Sequence, residues 1–497
     1  MKSSIVDKIC PILAFIFPLL IRSIPEILAW PWPIGFDTIF SYVPWIMNGY
    51  PLNLDLMNML KGTRLFPLLA LAMNFLVRNP ILTVKVLGPI LYALLGLSIY
   101  LFARRALIWS PRKSLFLVLI SSIYFVSLRI SWEMYRQMLG TIFLLLTLTA
   151  HHASKPKALP LTIVFSILTV LSHEIAAVIL LAILFMDGVR CILRRDLERL
   201  PLTLYSFLLV SIIFAYMLYD PRTCFIKLPL ERLEGDWFML AQFITGFLIY
   251  CYAFLLPIAA YGALKLRNRF VHYWTASTLA IGLLWPLLYP QASPPLWFRW
   301  IIFMVYPMSI YFTEGAHRVL ASNKDAPKPV KISAIILIAF IILSAGYYLV
   351  APPEEAFPYF SDYNPYKAYI QSSMLQSTIP ISDIDDVIAS LDWIAENSDK
   401  GCVLILHEAF YPWSLLRDGV KCRIVLVRER NLSKPIRETF ADKLTEISEK
   451  FADNGKTVYT IWWVEGKGWY NVPSLPKPFK RLASYGDIAV YTYISQY

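Results

Sequence analysis

Charge is scarce in this chain: Asp, Glu, Lys and Arg make up 16% of its 497 residues, against 57% hydrophobic ones. With a mean hydropathy of +0.55, that balance excludes an ordinary soluble protein, whose apolar share is roughly 45–50%. Cysteine is scarce as well, six residues with no Cys-x-x-Cys and no Cys/His spacing, which excludes a zinc ribbon and a dense disulfide framework. No Asp-x-Asp occurs in the first 350 residues, so a divalent cation is left open but has no motif of its own. The first apolar run, 9 to 29, lacks a small-residue cleavage site and runs into "WPWP", so it reads as a retained signal anchor and first span. No internal repeat is evident, and few ionisable residues fall in the middle of the apolar runs.

What is there is apolar sequence in lengths that suit a bilayer. Runs near 9–29, 82–103, 114–130, 138–150, 158–172, 175–189, 200–219, 237–263, 272–289, 299–316 and 332–350 predict about eleven transmembrane helices. The net charge of +12 is explained by topology rather than by nucleic acid, because Lys and Arg fall in alternate short loops. Those loops carry Arg104, Arg105, Arg112 and Lys113; Lys155 and Lys157; Arg190, Arg194, Arg195 and Arg199; Lys265, Arg267 and Arg269; and Arg318, Lys324, Lys328 and Lys331. With these inside, the N-terminus is cytoplasmic and everything after Val350 is extracytoplasmic. "RLFPLLALAMNFLV", Arg64 to Val77, is too short to cross and reads as an interfacial helix in a long first outer loop, 30–80.

The expected organisation is therefore a polytopic α-helical membrane domain, 1–350, a Pro- and Tyr-rich linker, 351–381, and an extracytoplasmic α/β domain, 382–497. In the last, "DIDDVIASLDWIAEN" and "IRETFADKLTEISEKFADNG" have helical spacing, while "CVLIL", "CRIVLV", "KTVYTIWWVE" and "DIAVYTYI" are strand-like. Cys402 and Cys422 each open a strand and stand either as free thiols or as a pair. Asn431-Leu432-Ser433 is a sequon.

Polar residues at the outer span ends are the candidate site. Asp37, in "GFDTIFSYVPWIMNG", reads as the N-cap of an in-plane amphipathic helix or as a carboxylate with a chemical task. In "LRISWEMYRQMLG" a continuous helix puts Arg129, Glu133 and Arg136 on one face, either an ion-pair cluster or an acid facing a cavity. "LSHEIAAVI" holds His173 and Glu174 at an outer turn, and "SPPLWFRW" holds Arg299 between two tryptophans, snorkelling or binding phosphate. Arg222, Lys227 and Arg232 make the loop "DPRTCFIKLPLERLEGDW" basic on a side where positive charge is otherwise sparse.

Taken together, an early Asp in a long first outer loop, an interfacial helix, "TVKVLGPILYALLGLSIYLFARR" as second span and "SWEMYRQMLG", "LSHEIAAVILL" and "WFRWIIFMVYP" resemble the GT-C membrane glycosyltransferases. The likeness is to dolichyl-phosphate-mannose-protein mannosyltransferases and prokaryotic polyprenyl-phosphate-sugar enzymes, over roughly residues 5–320. It implies an inverting transfer of a sugar from a polyprenyl-phosphate donor to a lipid-linked glycan or protein acceptor on the extracytoplasmic face. Carried over, Asp37 is the general base or acceptor-positioning group, and Arg299, with Arg136 or Arg222, stabilises the leaving phosphate. Many relatives have Asp-Glu in this loop; here Thr38 follows Asp37, so Glu133 or Glu174 is the partner acid, with His173 beside the substrate. "IWWVEG" is similar to the WWD motif of oligosaccharyltransferases but lies late, on a strand, and lacks the Asp. A transporter or flippase of lipid-linked substrates and a non-catalytic assembly partner with the same fold are the alternatives.

Overall fold

The computed structural model describes residues 5–47, 65–153, 158–218, 232–233, 236–294, 296–321, 327–350, 379–417, 419–427, 436–465 and 475–494. Arg222, Lys227, the sequon at Asn431 and nearly all of the linker lie outside the described residues. The chain forms two compact units, one holding α1 and the helices from Leu65 to Val350, the other holding Ala29 to Met47 together with the tail. The start of the first loop thus groups with the tail rather than with the helical body.

The helices are α1 Ile5–Leu28, α2 Thr38–Met47, α3 Leu65–Val77, α4 Pro80–Arg105, α5 Pro111–Ile123, α6 Phe125–Glu133, α7 Tyr135–His152, α8 Leu159–Ser172 and α9 Glu174–Leu193. They continue with α10 Leu200–Leu218, α11 Trp237–Tyr252, α12 Leu256–Lys265, α13 Arg269–Leu279, α14 Trp297–Phe303, α15 Val305–Ala321, α16 Lys328–Val350, α17 Ile384–Asn397 and α18 Ile436–Ala452. Each expected apolar run is helical, and the short run after Arg64 is α3. By length and composition, however, four helices among the described residues suffice to cross a membrane, or six when two bent pairs each count once. The bent pairs are α5 with α6, at 66°, and α11 with α12, at 82°.

Local sequence sets the helix starts. Asn79 and Ser110 cap α4 and α5 by accepting hydrogen bonds from Leu82 N and Lys113 N, each followed by a proline in the first turn. Asp236 caps α11 through Met239 N at 2.9 Å. The break between α6 and α7 has no such signal: Met134 sits at φ −92°, ψ 55°, between two helical residues. The continuous helix that would put Arg129, Glu133 and Arg136 on one face is therefore interrupted between Glu133 and Tyr135.

In the second unit a five-stranded sheet runs in the order β2-β1-β3-β5-β4, with β1 Val403–His407, β2 Arg423–Val427, β3 Val458–Trp463, β4 Phe479–Tyr485 and β5 Ile488–Tyr493. β1 is parallel to β2 and β3, whereas β5 is antiparallel to β3 and β4. β1 and β3 are buried along their whole length, as continuous apolar runs in the middle of a sheet must be. Trp462 and Trp463 end β3 inside the core, and Trp463 Nε1 donates to Asp383 Oδ2 at 3.0 Å. The "IWWVEG" tryptophans are core groups.

The register pairs Val403 with Arg423, which brings the preceding residues, Cys402 and Cys422, to a Cα separation of 4.5 Å, and they form a disulfide. Closing a loop of this size stabilises a fold by about 3 kcal/mol in the chain-entropy picture. A disulfide of this kind persists in an oxidising compartment.

His407 ends β1, buried, and its Nδ1 accepts a hydrogen bond from Ala409 N at 3.1 Å, which fixes a neutral ring. Burial pushes its pKa from the ordinary 6.5 down to about 3. The unfolded chain therefore binds a proton that the folded one refuses. Its contribution is present in full above about pH 6.5 and is lost toward pH 3, with a slope of about 1.4 kcal/mol per pH unit. Thermal unfolding of the tail between pH 7 and pH 5 should fall more steeply for the wild type than for His407→Gln. Equal slopes would remove His407 from the account.

Candidate functional site

A buried ionic network joins the ends of several helices in the first unit. Near the end of α1, Arg22 and Glu26 are one turn apart and pair at 2.7 Å, both nearly without exposure. Lys85, in the second turn of α4, donates to Glu26 Oε2 at 3.1 Å and to Glu26 O at 2.8 Å. Arg22 Nε donates to Ser131 O on α6 at 2.9 Å, and its Nη2 to Tyr135 Oη on α7 at 3.2 Å. Phe66 of α3 covers Tyr135, with ring centroids 5.9 Å apart. These three charges were not singled out from the sequence. The signal was available: charges inside apolar runs, "LLIRSIPEIL" and "TVKVLG", are costly unless paired.

The network continues along α6 and α7. Arg129 pairs with Glu133 at 3.0 Å in the last turn of α6, where Trp132 stacks on Tyr348 of α16 at 4.6 Å. Of the two readings open for Glu133, an ion-pair cluster or an acid facing a cavity, the structure shows the ion pair with Arg129, and Glu133 is 2% exposed. Beyond the kink, Arg136 pairs with Glu174 at 2.6 Å. Glu174 begins α9, and its neighbour His173 is the extended residue, φ −159°, between α8 and α9, with Nε2 at 3.9 Å from Glu174 Oε2.

The fit of this corner depends on Gly140, four residues beyond Arg136. A Cβ there would lie 2.7 Å from the Cβ of His173 and 3.0 Å from that of Ala176, so only glycine lets α7 approach the turn. On the other side the His173 ring stacks with Phe303 at 6.5 Å, and it lies in the positive field of both Arg136 and Arg299. Arg299 is half-buried in α14, whose preceding residue, Leu296, holds a left-handed φ of +55°. Strain of that kind costs of order 1–3 kcal/mol and persists where the surrounding structure enforces it. Of the expected site residues, Arg136, His173, Glu174 and Arg299 thus belong to one polar region of the helical unit, while Glu133 pairs with Arg129 at the end of α6. Its charged side chains are the Arg136–Glu174 pair and Arg299, set around His173.

Asp37 belongs to the other unit. Gly35 turns the chain at φ +92°, a conformation glycine adopts without strain, and a helical stretch follows, π-helical over Thr38–Tyr42. Val43 N–H donates to Thr38 O, and Pro44 has no N–H to continue the ordinary pattern. Of the two readings of Asp37, the cap does not form: its carboxylate makes no capping hydrogen bond, and the residue is half-buried. Thr38 Oγ1 ties the helix start instead, donating to Ile34 O at 3.0 Å. Aromatic contacts fasten the segment to the tail, Trp32 edge-on to Trp413 at 5.5 Å and Phe40 against Tyr411 at 6.2 Å.

Among the described residues no group of three or more His, Cys, Asp or Glu is placed to hold a metal ion. Glu133 and Glu174 already face guanidinium groups, which makes them poor ligands for a divalent cation as they stand.

No protein-family profile matches the chain, and no curated protein sequence does. Solved structures do. The crystal structure of the Archaeoglobus fulgidus oligosaccharyltransferase in its apo form is similar with a TM-score of 0.52 at 12% identity, over 91% of this chain and 69% of that one. The chain has the GT-C fold. The cryo-EM structure of the arabinofuranosyltransferase AftD from Mycobacteria has a TM-score of 0.46 at 12% identity, over 98% of this chain and 40% of that one. At these identities the likeness is one of fold, and the GT-C helical body is where the ionic network described above lies.

The network makes a stability prediction. Glu26→Ala would strand two buried cations, Arg22 and Lys85, at a cost of about 3–5 kcal/mol. Melting of the detergent-solubilised chain should drop sharply, whereas Glu446→Ala, which breaks the exposed pair with Lys450, should leave it unchanged. Equal shifts for the two would contradict the buried network.

Proposed function

We propose that this chain is a membrane glycosyltransferase that moves a sugar from a polyprenyl-phosphate donor to a lipid-linked glycan or protein acceptor on the extracytoplasmic face, with inversion. The observation that carries the reading is the pair of cations, Arg136 and Arg299, around His173 and Glu174 in a chain with the GT-C fold. Leaving-group chemistry explains why they matter. As the bond between the anomeric carbon and the phosphate oxygen breaks, negative charge grows on that oxygen, and guanidinium N–H groups fixed beforehand stabilise it. The Arg136–Glu174 pair holds one guanidinium in place, and Arg299 is the second.

The acceptor hydroxyl attacks from the opposite side of the sugar and must lose its proton. Asp37 takes that role, since general base catalysis by a positioned carboxylate contributes about 10²–10⁴ in rate. Glu133, paired with Arg129, is assigned to fixing the end of α6 rather than to proton transfer. Arg222 remains a candidate for the donor phosphate from its place in the basic outer loop.

Membranes supplied with labelled polyprenyl-phosphate sugars test this directly. Asp37→Asn and Arg299→Ala should each lower transfer by about a hundredfold or more at unchanged protein level. Transfer at the wild-type rate by Asp37→Ala would remove the base, and donor movement across the membrane without transfer would favour a flippase.

A further inference from the structure

The helical unit has a second polar region. α9 carries Glu174 at its start and Asp187 thirteen residues further on, about 20 Å along the axis. Asp187 is the acid of this second region, pairing with Arg269 at 2.6 Å and Arg199 at 3.3 Å and accepting from His151 at 3.1 Å. Glu314 of α15 serves the same purpose nearby, held between Lys113 and Arg318.

These pairs frame a cavity of about 410 Å³ whose wall includes Trp109, Lys265, Arg267, Arg269, Glu314 and Arg318. The loop carrying Arg267 is pinned on both sides. Asn268 Nδ2 donates to Ala106 O at 3.0 Å, and His272 Nε2 lies 2.9 Å from Leu266 O. Arg104 in turn donates to Trp109 O, fixing the opposite wall. Arg269 and Arg318 have carboxylate partners, but Lys265 and Arg267 are exposed and make no ion pair among the described residues. The cavity therefore holds an excess of positive charge within a rigid frame. Its rim carries Ile108, 78% exposed, in a left-handed conformation at φ +57° that a β-branched residue rarely adopts. A cation-rich cleft between helices with an apolar side chain at its lip matches an anionic headgroup whose acyl chain continues along the bundle.

We propose that this cavity binds the phosphate group of an anionic membrane lipid, with Lys265 and Arg267 as its main ligands and Arg269 and Arg318 behind them. The site is separate from the Arg136–Arg299 region and does not depend on the transferase reading.

The test is native mass spectrometry of the full chain released from phosphatidylcholine nanodiscs doped with phosphatidic acid. The wild type should retain phosphatidic acid, and Lys265→Ala with Arg267→Ala should weaken that retention by about thirtyfold. Both residues are exposed, so the variant's melting temperature should be unchanged. Arg194→Ala with Arg195→Ala, which removes two exposed cations outside the cavity, should retain the lipid. Added inorganic phosphate should compete with the lipid if the phosphate group is what is recognised. Equal losses in the two double variants, or no loss in either, would overturn the proposal. So would binding of inorganic phosphate with no retention of phosphatidic acid, which assigns the cavity to a soluble anion.

Discussion

The helical unit is organised by one requirement: a charge taken into an apolar bundle must meet an opposite charge or be neutralised. Arg22, Glu26 and Lys85 satisfy one another across α1 and α4, and Arg22 extends the cluster to the Ser131 carbonyl and the Tyr135 hydroxyl. The helices therefore cannot be shifted independently, because a slide of one turn would separate partners now 2.7–3.2 Å apart. The kink at Met134 follows the same logic. It ends α6 with Glu133 on Arg129 and starts α7 so that Arg136 reaches Glu174.

The same rule gives the bundle two polar regions of different character. Around Glu174 the cations are few and held closely, Arg136 by its carboxylate and Arg299 beside a strained helix start. Around Asp187 and Glu314 the cations outnumber the acids and open onto a cavity. A site that stabilises charge for one step of a reaction needs the first arrangement, in which donors are preorganised. A site that retains a charged lipid is served by the second, in which part of the charge stays unneutralised. The second unit contributes differently. Its sheet provides a rigid support, through Trp413 and Tyr411, for the segment that carries Asp37.

Much of this architecture is legible in the sequence, for physical reasons that can be named. Long apolar runs became helices because a helix satisfies its own backbone in lipid, and the buried strands β1 and β3 stand out as short apolar runs between turns. β4 escaped notice because "FKRLASY" is a basic, largely exposed edge strand without an apolar pattern. Pairing of Cys402 with Cys422 stayed open in the sequence since it depends on the register of two parallel strands, which only the fold fixes. His173, Glu174, Arg136 and Arg299 were found as polar residues at span ends. How they pair was not legible, because a kink without Gly or Pro, as at Met134, leaves no mark in local composition. Of the two readings that the sequence leaves open for Asp37, a helix cap or a carboxylate with a chemical task, the cap does not form, as Thr38 takes over the tie to the preceding turn.

The claim on which the rest turns is that a polyprenyl phosphate is held by the Arg136 and Arg299 side of the helical unit. A polyprenyl-phosphate analogue bearing a diazirine next to the phosphate, irradiated with the full-length chain and mapped by peptide mass spectrometry, addresses it directly. The account predicts labelling of the turn around His173 and of the helix carrying Arg299, lost when unlabelled donor is added. Labelling confined to the cavity beside Trp109 and Arg267, with none near His173 or Arg299, would contradict it.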